Sequence, residues 1–442
     1  MTTIHVPPSA SSAAGRPPGA ADRLRDRTID LIRSASLVLV VLLHAMMVGV
    51  TVTDAGPVFE NALETAWFGP VSWLVQMMPL FFIAGGFTAA GSWRAARASG
   101  ATATTFVARR VKRLMAPAIA LFAVIAVGLA TLSAAGVAPD VVATAGFRIS
   151  QPLWFLGVFL LAQALVPAMV RLHERSPFLT AAALLTVAGA IDAVRFATGW
   201  EAIGFVNLAV VWLFVQQLGF FEADGFVARV PHRVRAVGAP VLIAGLVILV
   251  ATTPYVADMY ANQDPPTLLL ALFGAAQLLL LSLARPRLAR WMRNPAVERT
   301  VDWIGARSMT IYLWHMSVLI ALAGIGVLAA QHELIVLPEL HSAAWWLPRP
   351  AWLACAVVAV LVVAVLAARF EPAVRRPSRT PWRSATAAAV GIGCVAVVFV
   401  VGLSWPTALA CAALAAAAAA LAGDGPLRGR RRRAAADALP TP

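Results

Sequence analysis

Apolar stretches of roughly 18–24 residues recur along almost the whole chain, separated by short segments rich in arginine. Each is long enough to cross ~30 Å of hydrocarbon as a helix rising about 1.5 Å per residue. The pattern predicts spans near 31–52, 69–92, 114–135, 152–171, 178–197, 203–221, 237–254, 267–284, 308–330, 351–369, 384–403 and 405–422. The last two are Ala-rich and joined only around Ser404–Pro406, so they form either a tight hairpin or a shorter re-entrant pair. The expected fold is therefore an all-α polytopic membrane protein of about twelve transmembrane helices.

Composition removes the alternatives. Of 442 residues, 60% are hydrophobic and 13% charged, against about 25% charged in a typical soluble domain. So much apolar surface cannot be hidden in a water-facing globule. The net charge is +14, and Lys112 is the only lysine. The arginines sit in short clusters between apolar runs rather than on one basic face, which argues for membrane orientation and against nucleic acid. Loops carrying Arg94–Arg113, Arg171–Arg175, Arg229–Arg235, Arg285–Arg307 and Arg375–Arg383 alternate with loops carrying Asp54, Glu60, Glu64, Asp140, Glu201, Asp258, Asp264, Glu333 and Glu339. By the positive-inside rule this puts both termini in the cytoplasm of a bacterial-type plasma membrane and makes the span count even. Residues 1–27 read as a disordered cytoplasmic tail and residues 423–442, with Arg430–Arg433, as a basic one. No connection is long enough for an independent catalytic domain. Cys355, Cys394 and Cys411 lie in apolar stretches without ligand spacing, so they read as small buried hydrophobes and no metal is expected.

Any chemistry must then come from ionisable side chains within the spans, each of which costs a few kcal/mol at the helix centre. His44 interrupts the apolar run Leu37–Val48, eleven residues beyond Arg33 and so ~16 Å deeper along a helix. His315 sits in Met309–Ile320, eight residues beyond Arg307, ~12 Å deep. Imidazole suits proton transfer near neutral pH, and the plainer alternative for each is a packing histidine bonded to a neighbouring helix. Asp192 and Arg195 read as an i,i+3 ion pair near the outer end of span 5. Arg109 and Arg113 are four apart at the start of span 3, where forked guanidinium groups either grip an anion or anchor lipid head groups; the sequence leaves both open. GxSxG, HExxH, GxxxxGK[ST] and GxGxxG are all absent, so serine hydrolase, zinc protease, ATP and dinucleotide chemistry have no support.

Taken together, these residues resemble the acyltransferase-3 family of membrane-bound acyltransferases. Asp30-x-x-Arg33 followed by His44 looks like that family's first span, and Arg109-x-x-x-Arg113 resembles its RxxxR motif. Pro79-Leu-Phe-Phe-Ile-Ala-Gly-Gly-Phe87, Leu153-Trp-Phe-Leu156 and Ser308-x-x-Ile-Tyr-Leu-Trp-His315 fit further family patterns. The resemblance covers a ten-span core, residues 28–370, followed by an extra transmembrane pair, 371–422. Ala84 stands where many members carry serine, so no role for that serine transfers.

The resemblance implies an O-acyltransferase. It would move an acyl group, often acetyl, from acyl-CoA to a hydroxyl of a sugar, cell-envelope glycan, lipid or small natural product. His44 would be catalytic, with Arg33, Arg109 and Arg113 on the donor. His315 and Trp154 are candidates for holding the acceptor or supporting the site; on position alone, Trp154 reads as an interfacial belt residue before a lid over a pocket. No permanently bound cofactor is implied. The alternative is a proton-coupled transporter or flippase that consumes no thioester.

Overall fold

The computed structural model describes residues 26–53, 56–368 and 377–423. Residues 1–25, Arg375, Arg376 and Arg430–Arg433 lie outside them, as do Asp54 and Ala55. In chain order the elements are α1 (Arg27–Met47), β1 (Val48–Thr53), β2 (Gly56–Asn61), α2 (Phe68–Val75), α3 (Met78–Ala98), α4 (Ala103–Ala134) and α5 (Pro139–Ser150). There follow α6 (Trp154–Arg175), α7 (Pro177–Thr198), α8 (Asn207–Ala223), α9 (Phe226–Arg229), α10 (His232–Thr252) and α11 (Leu268–Trp291). The series ends with α12 (Pro295–Gln331), α13 (Ala343–Trp346), α14 (Arg349–Ala367), α15 (Pro381–Val401) and α16 (Trp405–Leu421).

Among the described residues, eleven helical stretches are long and apolar enough to cross a bilayer. The twelfth expected span is α16, an apolar helix of 17 residues, ~25 Å long at the α-helical rise. Its two ends show how far it reaches. At the turn between α15 and α16, the Leu403 carbonyl packs so closely on Gly146 of α5 that a Cβ there would collide with it. At the far end, the Ser378 amide donates to the Ala422 carbonyl at 2.8 Å, and Arg383 reaches the carbonyls of Ala420 and Gly423. Gly423 lies beside the Lys112 ammonium on α4. The pair is therefore a closed hairpin that returns to the level of the arginine cluster on α4.

Three elements depart from the predicted pattern. Val48–Thr53 alternates valine with glycine and threonine, and it pairs antiparallel with Gly56–Asn61 in a hairpin instead of extending the first span. The second span is broken between α2 and α3, next to Pro79. The fully buried Gln76 fills this break: its Nε2 donates to the Met259 carbonyl (3.1 Å) and Gln263 Oε1 (3.0 Å), and its Oε1 accepts from the Met78 amide (3.1 Å). Gln277 Nε2 satisfies the Gln76 carbonyl at 2.6 Å. Broken backbone is tolerated at membrane depth only when it is enclosed and paired in this way. The third departure is α5, an additional helix ahead of the fourth span.

Asp192 does not make the expected ion pair with Arg195. Its carboxylate accepts from Asn207 Nδ2 (2.9 Å), the Tyr255 hydroxyl (2.7 Å) and the Leu268 amide (2.7 Å), tying α7 to α8 and to the start of α11. Arg195 instead faces Glu201 at 3.3 Å. A buried carboxylate does better with three fixed donors than with one mobile cation.

On the arginine-rich face, Arg285 bridges Asp26 and Glu222, and Arg27 pairs with Glu298. Asp26 also caps α1 through the Thr28 and Ile29 amides, so the entry of α1 is fixed from several sides. Asp224, just past α8, binds Arg94 and His173 Nε2 (3.0 Å). Burial pushes the Asp224 carboxyl up, but the bonds from Arg94 and His173 outweigh it and hold the group below its ordinary value.

Close packing of α3 on α8 rests on two glycines: a Cβ at Gly86 would strike the Gln216 carbonyl, and one at Gly219 would strike the Ile83 carbonyl. Gly86→Ala should therefore lower stability by about 1–3 kcal/mol. Gly91→Ala on the same helix, with nothing within 4 Å of the new Cβ, should not. Thermal unfolding of the purified protein in detergent reads the contrast. A reporter fused after Pro442 should report the same side of the membrane as one placed in the Ser99–Thr102 loop, because the hairpin returns.

Candidate active site

One cavity of about 780 Å³ runs between α1, α3, α4, α6, α12 and α15. Its arginine-rich end is lined by Arg33, Arg110, Arg113, Ser92, Thr88 and Ser308. Its middle is lined by His44, Trp154, Phe155, Phe159 and Tyr312. The opposite end is lined by Glu60 and Asn61 of β2, Arg148 and Gln151, Gln263 and Asp264, and the last residues of α15.

The two membrane histidines meet. His315 Nε2 lies 3.2 Å from His44 Nδ1, and the rings are 5.0 Å apart, centre to centre. His44 lines the cavity, whereas the fully buried His315 stands behind it. Hydrogen-bond logic assigns the tautomers. His315 Nδ1 is 2.6 Å from the Tyr312 carbonyl, which can only accept, so Nδ1 carries the proton. His315 Nε2 in its neutral form is then an acceptor, and the His44 Nδ1–H donates to it. The lone pair of the pair is thereby left on His44 Nε2. Such a histidine–histidine contact orients both rings, as a carboxylate partner would, without placing a full charge in the membrane.

Neighbouring elements hold both rings. The C-terminal turn of α1 is covered by α14: Trp352 Nε1 donates to the Ala45 carbonyl (2.8 Å) and Arg349 to the Val48 carbonyl (3.2 Å). Tyr312 donates its hydroxyl to the Pro152 carbonyl (2.7 Å), linking the His315 helix to the turn that opens α6. Trp154 is part of the cavity wall and stacks on the fully buried Trp212, which stacks in turn on Phe82. Its aromatic neighbours give the site a rigid side.

The arginine assignment changes in one position. Arg33 and Arg113 line the cavity as expected, but Arg109 does not; Arg110 does. On α4 the cavity-facing sector runs from Arg113 through Arg110 to Leu114, and Arg109 lies about 100° round the helix from Arg110. The i,i+4 spacing does not encode how the helix is rotated, and Arg113 meets the cavity together with Arg110, not with Arg109. Arg110 is held by Ser92 Oγ at 2.5 Å and lies over the Phe106 ring. Arg33 Nε is buried with no hydrogen-bond partner among the described residues. Three guanidinium groups converging on one cavity end, one with an idle donor, make a site for an anion. Ala84 is fully buried against Ile29, Ile32 and Leu281 and does not line the cavity.

The model of a family described as an acyltransferase domain, that of acyltransferase-3, matches residues 26–369. The chain belongs to this family. It is a multi-pass membrane acyltransferase. No curated protein and no solved structure matches the chain. The match ends at the close of the ten-span core, so α15 and α16 lie beyond it. Yet α15 is part of this acyltransferase's cavity wall: Gly157 of α6 packs against Val395, Gly391 packs against Leu160 and Met115, and Val398–Gly402 line the cavity. Sequence reasoning treated the pair as an appendage, because nothing in a plain apolar run marks the side that meets a cavity.

Proposed function

We propose that the protein is an O-acyltransferase that moves an acyl group, in the simplest case acetyl, from acyl-CoA to a hydroxyl. The observation that carries this reading is the His44–His315 pair opening on a cavity whose other end holds Arg33, Arg110 and Arg113. The arginine-rich face is taken as cytoplasmic, by the positive-inside rule, so the donor enters from that side. The three guanidinium groups bind the phosphates of coenzyme A. The pantetheine arm then runs along α1, and the ~16 Å helical rise from Arg33 to His44 suits its length.

His44 Nε2 takes the proton of the acceptor hydroxyl as the oxygen attacks the thioester carbonyl. The tetrahedral intermediate collapses with cleavage of the C–S bond. The imidazolium returns its proton to the departing thiolate, giving acyl ester and free coenzyme A. His315 is a positioning residue: by accepting from His44 Nδ1–H, it keeps the basic lone pair on the cavity side. The acceptor is a hydroxyl of a sugar, an envelope glycan, a lipid or a small natural product, and it approaches from the polar end bearing Glu60, Arg148 and Asp264.

A positioned general base contributes typically ~10²–10⁴-fold. His44→Ala should therefore cut thioester-consuming turnover by about that factor while leaving acyl-CoA binding in place. His315→Ala should cost less, on the order of ten- to a hundredfold, and His315→Gln should recover part of it by restoring an acceptor for His44 Nδ1–H. Near-normal turnover of His44→Ala with loss in His315→Ala would reverse the two roles.

Arg110→Ala and Arg113→Ala should each weaken acyl-CoA binding, measured by titration calorimetry. Lysine at either position should restore affinity only partly, because it keeps the charge and loses the fork. Arg109→Ala should leave donor affinity near normal. A loss in Arg109→Ala with none in Arg110→Ala would place the donor elsewhere.

A further inference from the structure

The far end of the cavity has two chemically different sides. One is polar: Glu60 and Asn61 on β2, Arg148 in the last turn of α5, Gln151 just past it, and Asp264. The other is wholly apolar: Phe147 and the end of α15, Val398–Val401. Val398 is buried, but the others line the cavity and are at the same time exposed on the outside. Val400 is 80% exposed, Val401 65% and Phe147 56%. The cavity therefore opens sideways over an apolar sill, at the level where the α15–α16 turn packs on α5. Phe399 is braced edge-on against Phe205, at 5.4 Å between ring centres, which fixes one side of the sill.

An acceptor that is polar throughout has no use for such a sill, and one that is apolar throughout has no use for the facing carboxylates and guanidinium. We propose that the end of α15, residues Val398–Gly402, is the specificity-determining wall of the acceptor site, and that it selects amphiphilic acceptors. The hydroxylated head enters past Arg148 and Glu60 while the apolar tail lies across Phe147, Phe399 and Val401 towards the lipid. The hairpin beyond the family match thus tunes the shared core to a membrane-resident substrate. This inference rests on the acyltransferase reading above.

The probes are methyl and hexyl β-D-glucoside, a matched head with a short or a long tail, offered with acetyl-CoA to the full-length protein in lipid nanodiscs. Release of coenzyme A thiol gives kcat/KM for each. Burial of extra methylenes on the sill should favour the hexyl compound by roughly tenfold or more. Val401→Asn and Phe399→Ser should pull the hexyl-to-methyl ratio towards one; using a ratio cancels any loss of folded protein. A ratio near one in the unaltered protein, or one unchanged in both variants, overturns the proposal.

A second arm needs no turnover. Val401→Cys, with Cys355→Ser to remove the exposed native thiol, is labelled with a maleimide. Hexyl glucoside should slow labelling several-fold more than methyl glucoside does. Equal protection by both, or none, overturns the wall even if acyl transfer is intact. Clear selective protection without thioester consumption by either glucoside or by added membrane lipids would instead sink the acyltransferase reading and leave the wall standing.

Discussion

A polar atom in hydrocarbon must be paired or must face a cavity that a polar ligand fills, and the architecture follows from that demand. The imidazoles of His44 and His315 meet it by bonding to one another and to the Tyr312 carbonyl, with His44 on the cavity wall. The broken second span meets it through Gln76 and Gln277. The frayed end of α1 meets it through Trp352 and Arg349. In each case a side chain from a distant span supplies the missing bond, so the helices around the reaction centre are held by directional contacts, where apolar packing alone would let them slide.

Much of this was legible in the sequence because membranes leave few options. The repeating apolar lengths read as spans, and the clusters Arg94–Arg113 and Arg285–Arg307 read as one face. Two histidines at comparable depth marked the site before any contact was known. What stayed hidden depended on rotation and on depth of insertion. The choice between Arg109 and Arg110 is a matter of helix rotation, which charge spacing does not encode. Asp192 was assigned to its nearest cation in sequence, whereas its partners Asn207, Tyr255 and Leu268 come from other elements. The hairpin of α15 and α16 carried no marker at all, since its part in the cavity wall lies in ordinary valines.

The two faces of the protein are built by different means. The arginine-rich face is locked by ion pairs, with Arg285 between Asp26 and Glu222 and Arg94 on Asp224. The opposite half relies on neutral donors to carboxylate, as at Asp192, and on the tryptophan stack of Trp154 and Trp212. Ion pairs near a surface soften with ionic strength, and buried hydrogen bonds do not. The arginine-rich side is thus the more responsive to its aqueous surroundings.

A chamber lined by residues from both halves of the membrane also poses an insulation problem. On the proposed reading, with a donor entering at one end and an acceptor at the other, the same path would, if wet throughout, let protons drain across the membrane. Phe81, Phe155 and Phe159 crowd one wall with their rings 5.2–5.9 Å apart, and Phe155 leans edge-on against Tyr312, which lies one helical turn before His315. These faces give water almost nothing to bond to, so a continuous file of solvent beside the histidines is disfavoured. On the proposed reading the aromatic wall insulates a proton-handling group, and a polarised membrane would constrain these side chains as firmly as the reaction.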